Sequence, residues 1–390
     1  MHLAFLRDYH EALVLALART EPTLERGTVA EVTGLTPQAV SKVLARLVEE
    51  GLLEPAGVRR PARGKPAAVY RLVPASRWAI GAHVTRRELR LVRADLAGTV
   101  HSSAAAPLPA DFTPEELLDE LAAGVTAMIG EHRMTTPELA GVGIGMIGPL
   151  DQSTGTVRGA HRLRHWQDVP LAELAGQRLG LPVVVDKDVT AGVTAEAWRR
   201  GTTFRDAALV VVDAGVGAGL WLGGAAHRGA HTNASEFGHA VVQLGGPRCA
   251  CGRHGCLEAV HERAADPAAA AAVLATGVVN LLQTLDLGHI VLGGADLLPH
   301  GELYRAAVEH AVRTQLPGAD WLDVEVSLTS LGTDVVAAGA AMQVLDARYG
   351  LPDPARHRRP PVRRVENGRP APTEGYRRPN RPPPREAHER

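Results

Sequence analysis

The hydrophobic pattern changes twice along the chain, and each change marks a boundary. Near the N-terminus apolar residues fall at helical intervals. Leu13, Val14, Leu15 and Leu17 close a first helix, and Arg26 to Thr33 forms a second with Val29, Ala30 and Val32 inward. Gly34 supplies a turn and Leu35 packs. Thr36-Pro37 then starts a third helix as N-cap and first-turn proline. In that helix Val40, Val43, Leu44 and Leu47 share one face, while Gln38, Ser41, Lys42 and Arg46 lie on the other. From about residue 77 short Val/Ile-rich runs alternate with Ala-rich helical stretches, the pattern of an α/β fold. Leu181-Pro182-Val183-Val184-Val185, Leu209-Val210-Val211-Val212 and His289-Ile290-Val291-Leu292 are such runs. From about Pro352 the chain is Pro- and Arg-rich with almost no aliphatic residues, which predicts a disordered extension. Three regions follow: 1–75, 76–350 and 351–390.

Charge alters the reading of the first region. The net charge of the 390-residue chain is only -1, so overall balance selects no partner. Locally, however, Arg59, Arg60, Arg63, Lys65 and Arg71 follow the third helix with no acidic residue among them, leading into a strand from Val69 to Leu72. A basic hairpin directly after two closely crossed helices is what a winged helix-turn-helix needs to touch DNA phosphates. Thr36, Gln38, Ser41, Lys42 and Arg46 are then the candidates for the groove, and Arg59, Arg60, Arg63 and Lys65 for the backbone. The competing reading is a small helical protein-interaction domain with a solvated hairpin. The N-terminal helix is interrupted by Arg7, Asp8, His10 and Glu11, so it reads as amphipathic, and neither a signal peptide nor a membrane span is expected. The basic tail has two readings, a solvated extension or a non-specific anchor for DNA phosphates.

All three cysteines, Cys249, Cys251 and Cys256, fall within eight positions, and His239 lies ten residues before the first. Three thiolates and an imidazole form the closed tetrahedral set that structural zinc prefers. Gly252 and Gly255 allow a tight wrap, and Glu236 and Glu258 bracket the cluster. The alternative is an unconnected set of buried and exposed cysteines beside a core histidine. With no cysteine elsewhere there is no disulfide scaffold, and a reducing, cytoplasmic setting is expected.

With the winged helix in front and the cysteine cluster behind, the chain resembles the ROK family (repressor, open reading frame, kinase), and within it the sugar-responsive repressors. The resemblance implies a two-lobed ribonuclease-H-like (actin-like ATPase) fold with a sugar in the cleft. It implies that His239, Cys249, Cys251 and Cys256 hold zinc. It makes Glu236 and Glu258 sugar-hydroxyl acceptors with His239 beside the sugar, and Gly148 a turn at the pocket. Asp188 matches the general base of the family's kinases. Lys187 stands where the family has an asparagine that contacts the sugar, and it is retained as a candidate ligand contact. The kinase phosphate loops are degenerate: His83-Val84-Thr85-Arg86-Arg87 replaces an Asp-x-Gly-x-Thr turn, and Asp213-Ala214-Gly215-Val216-Gly217 replaces Gly-Thr-Gly-x-Gly. Gly215, Gly217 and Gly219 read instead as a tight turn between strands. The expectation is therefore a non-enzymatic regulator binding operator DNA as a homodimer or homotetramer, with a sugar or sugar derivative as effector. An active sugar kinase fused to a DNA-binding domain, and a ligand-free regulator controlled by a protein partner, are the competing readings.

Overall fold

The computed structural model describes residues 3–59, 66–131, 134, 138–160, 163–234, 236–316 and 321–350; Arg60, Arg63, Lys65 and the expected tail lie outside them. The N-terminal segment runs α1 (Leu3–Thr20), β1 (Leu24–Glu25), α2 (Arg26–Thr33), α3 (Pro37–Glu49), β2 (Leu53–Arg59) and β3 (Ala67–Leu72), with β3 central in a three-stranded sheet. Local sequence sets the helix boundaries. Gly34 takes φ 70° after α2, and the Thr36 hydroxyl accepts from the Ala39 N–H at 3.2 Å to cap α3. Val40, Val43, Leu44 and Leu47 are buried as the pattern requires. Val32 is not: it is 61% exposed. The eight-residue α2 buries only Val29 completely, and its last turn faces solvent.

The remaining described chain forms two five-stranded sheets. The first uses β4 (Trp78–Val84), β5 (Glu88–Asp95), β6 (Val100–Pro107), β7 (Leu139–Met146) and β10 (Val183–Lys187). Between them lie α4 (Pro114–Glu131), the short pair β8 (Leu150–Asp151) and β9 (Thr156–Val157), and α5 (Leu171–Leu179). After α6 (Asp188–Arg200), the second sheet uses β11 (Ala207–Val212), β12 (Val216–Leu222), β13 (Ala225–Ala226), β14 (His289–Gly293) and β15 (Glu325–Leu328). It is interleaved with α7 (Leu257–His261), α8 (Pro267–Leu285) and α9 (Gly301–Gln315), and α10 (Val335–Tyr349) follows. Each sheet places its third, second, first, fourth and fifth strands side by side, with only the second antiparallel to both neighbours. The same wound unit thus occurs twice, giving the two-lobed ribonuclease-H-like arrangement. Among the described helices α8 is long and apolar enough to cross a membrane. Here Leu274, Val278 and Leu282 bury it in the core of the second sheet, against α9.

Helices α6 and α10 lie between the sheets and pack on each other. Every residue from Val335 to Leu345 of α10 is buried, which is possible because the run is mostly Ala, Val and Gly. Contact is backbone to backbone. A Cβ added at Gly339 would sit 1.7 Å from the Ala191 carbonyl oxygen, and one at Gly143 would sit 1.9 Å from that of Ala340. The N-terminal segment joins the same core, since Val14, Leu15, Val40 and Leu44 cluster continuously with the apolar residues of α6 and α10. Arg19 of α1 stacks 3.8 Å over the Trp198 ring of α6, and burial lowers its pKa to about 10.

Gly339→Val is expected to cost about 3 kcal/mol of stability, because the atoms it meets are backbone and cannot rotate away. Gly130→Ala, in an open stretch of α4, should instead gain up to about 1 kcal/mol. Urea denaturation of both variants measures the contrast.

Candidate functional site

The C-terminal ends of the parallel strands converge on one cleft, the usual place for a ligand in wound α/β sheets. His83 lies near the end of β4 on one side, Asp213 follows β11 on the other, and Asp188 opens α6 between them. Gly148, Lys187, Glu236, His239 and Glu258 also line this cleft, so all six residues expected at a ligand site are brought together there. Burial raises the Asp188 carboxyl above the ordinary range against the attraction of His83 and Lys187, and the Val189 N–H donates to it at 2.7 Å. Burial likewise raises Asp213, which accepts from the Ala295 N–H. His83 is driven down to about 4 by burial and is neutral at pH 7.

The opposite wall is built on the cysteine cluster. His239 Nδ1 lies 3.5 Å from Cys249 Sγ, Cys251 Sγ lies 3.6 Å from Cys256 Sγ, and all four donor atoms fall within 4.8 Å of one another. A tetrahedral ion with bonds of about 2.3 Å to sulfur spaces its ligands by about 3.8 Å, so the donor set fits such an ion. The backbone supports the wrap: Cys249 N–H donates to Arg253 O at 2.8 Å, and Gly255 has φ 72° with Gln243 O where a Cβ would fall. Hydrogen bonding from the Arg253 N–H brings the Cys251 thiol down to about 7, whereas burial pushes Cys256 up to about 12. Three sulfurs this close ionise together only with a cation between them. With Nδ1 turned to the sulfurs, His239 Nε2 faces Glu236 Oε2 at 3.8 Å. Glu258 lies two residues after Cys256, and its Oε2 accepts from the Val216 N–H at 3.0 Å. The cluster thereby positions both carboxylates.

The structure brings in partners that the one-dimensional pattern did not indicate. The Lys187 ammonium is bound to Glu236 Oε1 at 2.5 Å and to Ala234 O at 3.0 Å. Arg87, in the turn after β4, binds Asp296, in the loop after β14, in a bidentate pair of 2.5 and 3.2 Å. The segment that the resemblance aligned with a first phosphate loop is thus a turn ion-paired to the loop after β14. The glycines after Asp213 serve less as a turn than expected. Gly217 and Gly219 lie within β12, packed on Val189 of α6, and only Gly215 belongs to the hairpin.

The DNA candidates also separate. Thr36, Gln38 and Lys42 are exposed along α3, and the Ser41 hydroxyl donates back to Pro37 O at 2.7 Å. Arg46 departs from the expected face: it is half-buried and ion-paired to Glu11 of α1, because its long side chain reaches the neighbouring helix. Arg59 stays 66% exposed while paired to Glu25.

The family model for the ROK family matches residues 80–269. The chain carries a ROK family domain. It is similar to the DNA-binding transcriptional repressor Mlc of Escherichia coli (strain K12), at 29% identity over 267 residues that cover 66% of this chain and 64% of that protein. The chain spans about 64% of the length of the curated relatives it matches. A ROK family transcriptional regulator described as a homologue of the E. coli MLC protein shares its fold, with TM-score 0.71 and 19% identity. That likeness covers 88% of this chain and 98% of the other, a span too long to leave out the N-terminal segment. The ROK hexokinase from Thermus thermophilus matches with TM-score 0.58 and 27% identity, over 70% of this chain and all of its own.

The buried histidine of this ROK domain has a measurable consequence. Its native pKa of about 4 lies below the unfolded value of about 6.5, so the unfolded chain takes up the proton first. Stability is therefore lost as pH falls from about 6.5 toward 4, with a slope of at most about 1.4 kcal/mol per pH unit from this group. His83→Asn should remove that share of the slope, as read from urea unfolding of the two proteins at pH 7, 6 and 5.

Proposed function

We propose that the protein is a DNA-binding transcriptional repressor whose operator affinity responds to a sugar or sugar derivative held in the cleft. Residues 1–75 are the DNA-binding domain, 76–350 the effector and oligomerisation domain, and 351–390 a tail. A homodimer or homotetramer presents two or more copies of α3 to a symmetric operator. Gln38, Ser41 and Lys42 meet the groove. Arg59, Arg60, Arg63 and Lys65 meet phosphates, Thr36 fixes the start of the helix, and Arg46 braces it from within. The observation that carries the reading is the continuous core from α3 through α1 to α6 and α10, which ties the reading helix to the floor of the cleft. A ligand that favours one arrangement of the sheets therefore has a packed route to the DNA-binding helices.

Zinc is the ion this donor set suits, with His239, Cys249, Cys251 and Cys256 as its ligands. Bound there, it supplies structural cross-linking of the loop that carries Glu236 and Glu258. Those carboxylates accept hydroxyls of the effector, with Asp188 a further acceptor and Gly148 shaping the turn beside it. Similarity to a hexokinase supports a sugar-sized ligand, and Asp188 keeps the kinase reading open as the alternative. Against turnover stands His83, a neutral group where phosphate transfer needs a metal-orienting acid. Repression therefore proceeds without catalysis.

Elemental analysis of protein purified without chelator should find about one zinc per chain, and Cys251→Ser should lose it and melt earlier. Fluorescence anisotropy on an operator selected from random DNA tests the main reading. Gln38→Ala should relax sequence preference, whereas Arg60→Ala should weaken all sequences and lower the salt slope by about one. Unchanged binding in both variants would remove the DNA-reading assignment. ATP-dependent phosphorylation of glucose abolished by Asp188→Ala would restore the kinase.

A further inference from the structure

Two adjacent residues of β10 carry opposite charges, and both are paired to one segment that follows β13. Asp186 is completely buried and is held by Arg228 at 2.7 and 2.8 Å and by Gln343 at 2.9 Å. That pair is closed off from the cleft. Lys187 is also buried, with 5% of its side chain exposed, but its partner is different in kind. Glu236 keeps 30% of its side chain accessible, lines the cleft, and turns its second oxygen toward His239. The Lys187 stem passes beside Gly148, its Cε 3.4 Å from where a Cβ would be, so the turn leaves a channel for it. At 2.5 Å the ammonium and Glu236 Oε1 leave no space for a ligand atom between them.

We infer that Lys187 is an internal competitor for Glu236, and that effector binding exchanges the Lys187–Glu236 pair for ligand hydroxyls. This rests on the reading of the cleft as the effector site and adds the rule by which that site selects. Breaking the pair leaves a desolvated ammonium with Ala234 O but no counter-charge unless the ligand supplies an acceptor beside the hydroxyl it gives to Glu236. A neutral monosaccharide with vicinal hydroxyls does both, since one hydroxyl donates to the carboxylate and the neighbouring oxygen accepts from Nζ. Affinity is held down by the exchange. The same exchange loosens the segment between Arg228 and Glu236 at one end, where Lys187 then keeps only its bond to Ala234 O, while Asp186–Arg228 holds the other. Lys187 is thus a specificity-determining residue, and Asp186 anchors the segment it releases.

The test is calorimetric titration of glucose, N-acetylglucosamine, xylose, glucuronate and glucose 6-phosphate into the full chain. Wild type is compared with Lys187→Gln, Lys187→Met, Glu236→Gln and the Lys187→Gln/Glu236→Gln pair, each checked for operator binding. Removing the competitor should tighten binding of a neutral sugar by on the order of tenfold in both Lys187 variants. Glu236→Gln should weaken it, and the gain should vanish in the double variant. Unchanged or weaker neutral-sugar binding in the Lys187 variants overturns the inference and leaves the effector site standing. So does a wild-type preference for glucuronate or glucose 6-phosphate that the Lys187 variants lose, which would make the ammonium an anion-binding contact and not a competitor. No sugar binding by wild type or either Lys187 variant, with operator binding intact, overturns the effector site and this inference together.

Discussion

The crossing of α6 and α10 between the two sheets is the constraint on which the other features depend. Backbone meets backbone there, so each side chain at the crossing has to be Gly or Ala, or to point away. Gly339 lies on the Ala191 carbonyl, and Gly81 and Gly143 receive α10 onto the first sheet. Close approach draws the C-terminal ends of β4, β7, β10 and β11 toward one point, and the cleft is the space that remains. It also leaves the helices little capacity to absorb movement. With no long side chains to repack, a shift of one sheet is passed on as a shift of a helix.

Charged groups beside the cleft tie its loops together. A neutral His83 lies near the end of β4, Arg87 joins the turn after β4 to Asp296, and Asp213 takes a backbone N–H from the loop after β14. Arg87 and Asp213 thus both have protein partners. On the opposite wall the His239/Cys cluster fixes Glu236 and Glu258 through neighbouring residues, so these carboxylates are as rigid as the cluster is.

The N-terminal segment is part of this arrangement and not an appendage. Val14 and Leu15 of α1 share the core of α6 and α10, and Arg19 lies buried over Trp198. Arg77, just before β4, donates to the Tyr349 hydroxyl at the end of α10 at 2.9 Å and to Glu50 O after α3 at 3.2 Å. The start of the first sheet, the last described helix α10 and the end of α3 are therefore bonded at one place.

Short-range physics made much of this legible in the sequence. Caps, glycine turns and helical spacing delimited α2 and α3, because those signals act within a few residues. The cysteine spacing marked the donor cluster because a single loop closes it, and the alternation of Val-rich and Ala-rich runs marked the wound sheets. What lay beyond the sequence was every pairing made across the fold. Arg46 read as a DNA-facing residue until Glu11 of another helix was placed beside it, and Val32 read as inward although the last turn of α2 faces solvent. Lys187 read as a ligand contact, and only the folded chain puts Glu236, 49 residues away, within 2.5 Å of its ammonium. Periodicity determines which face of an element turns inward, whereas a long charged side chain takes the partner that tertiary packing brings within its reach.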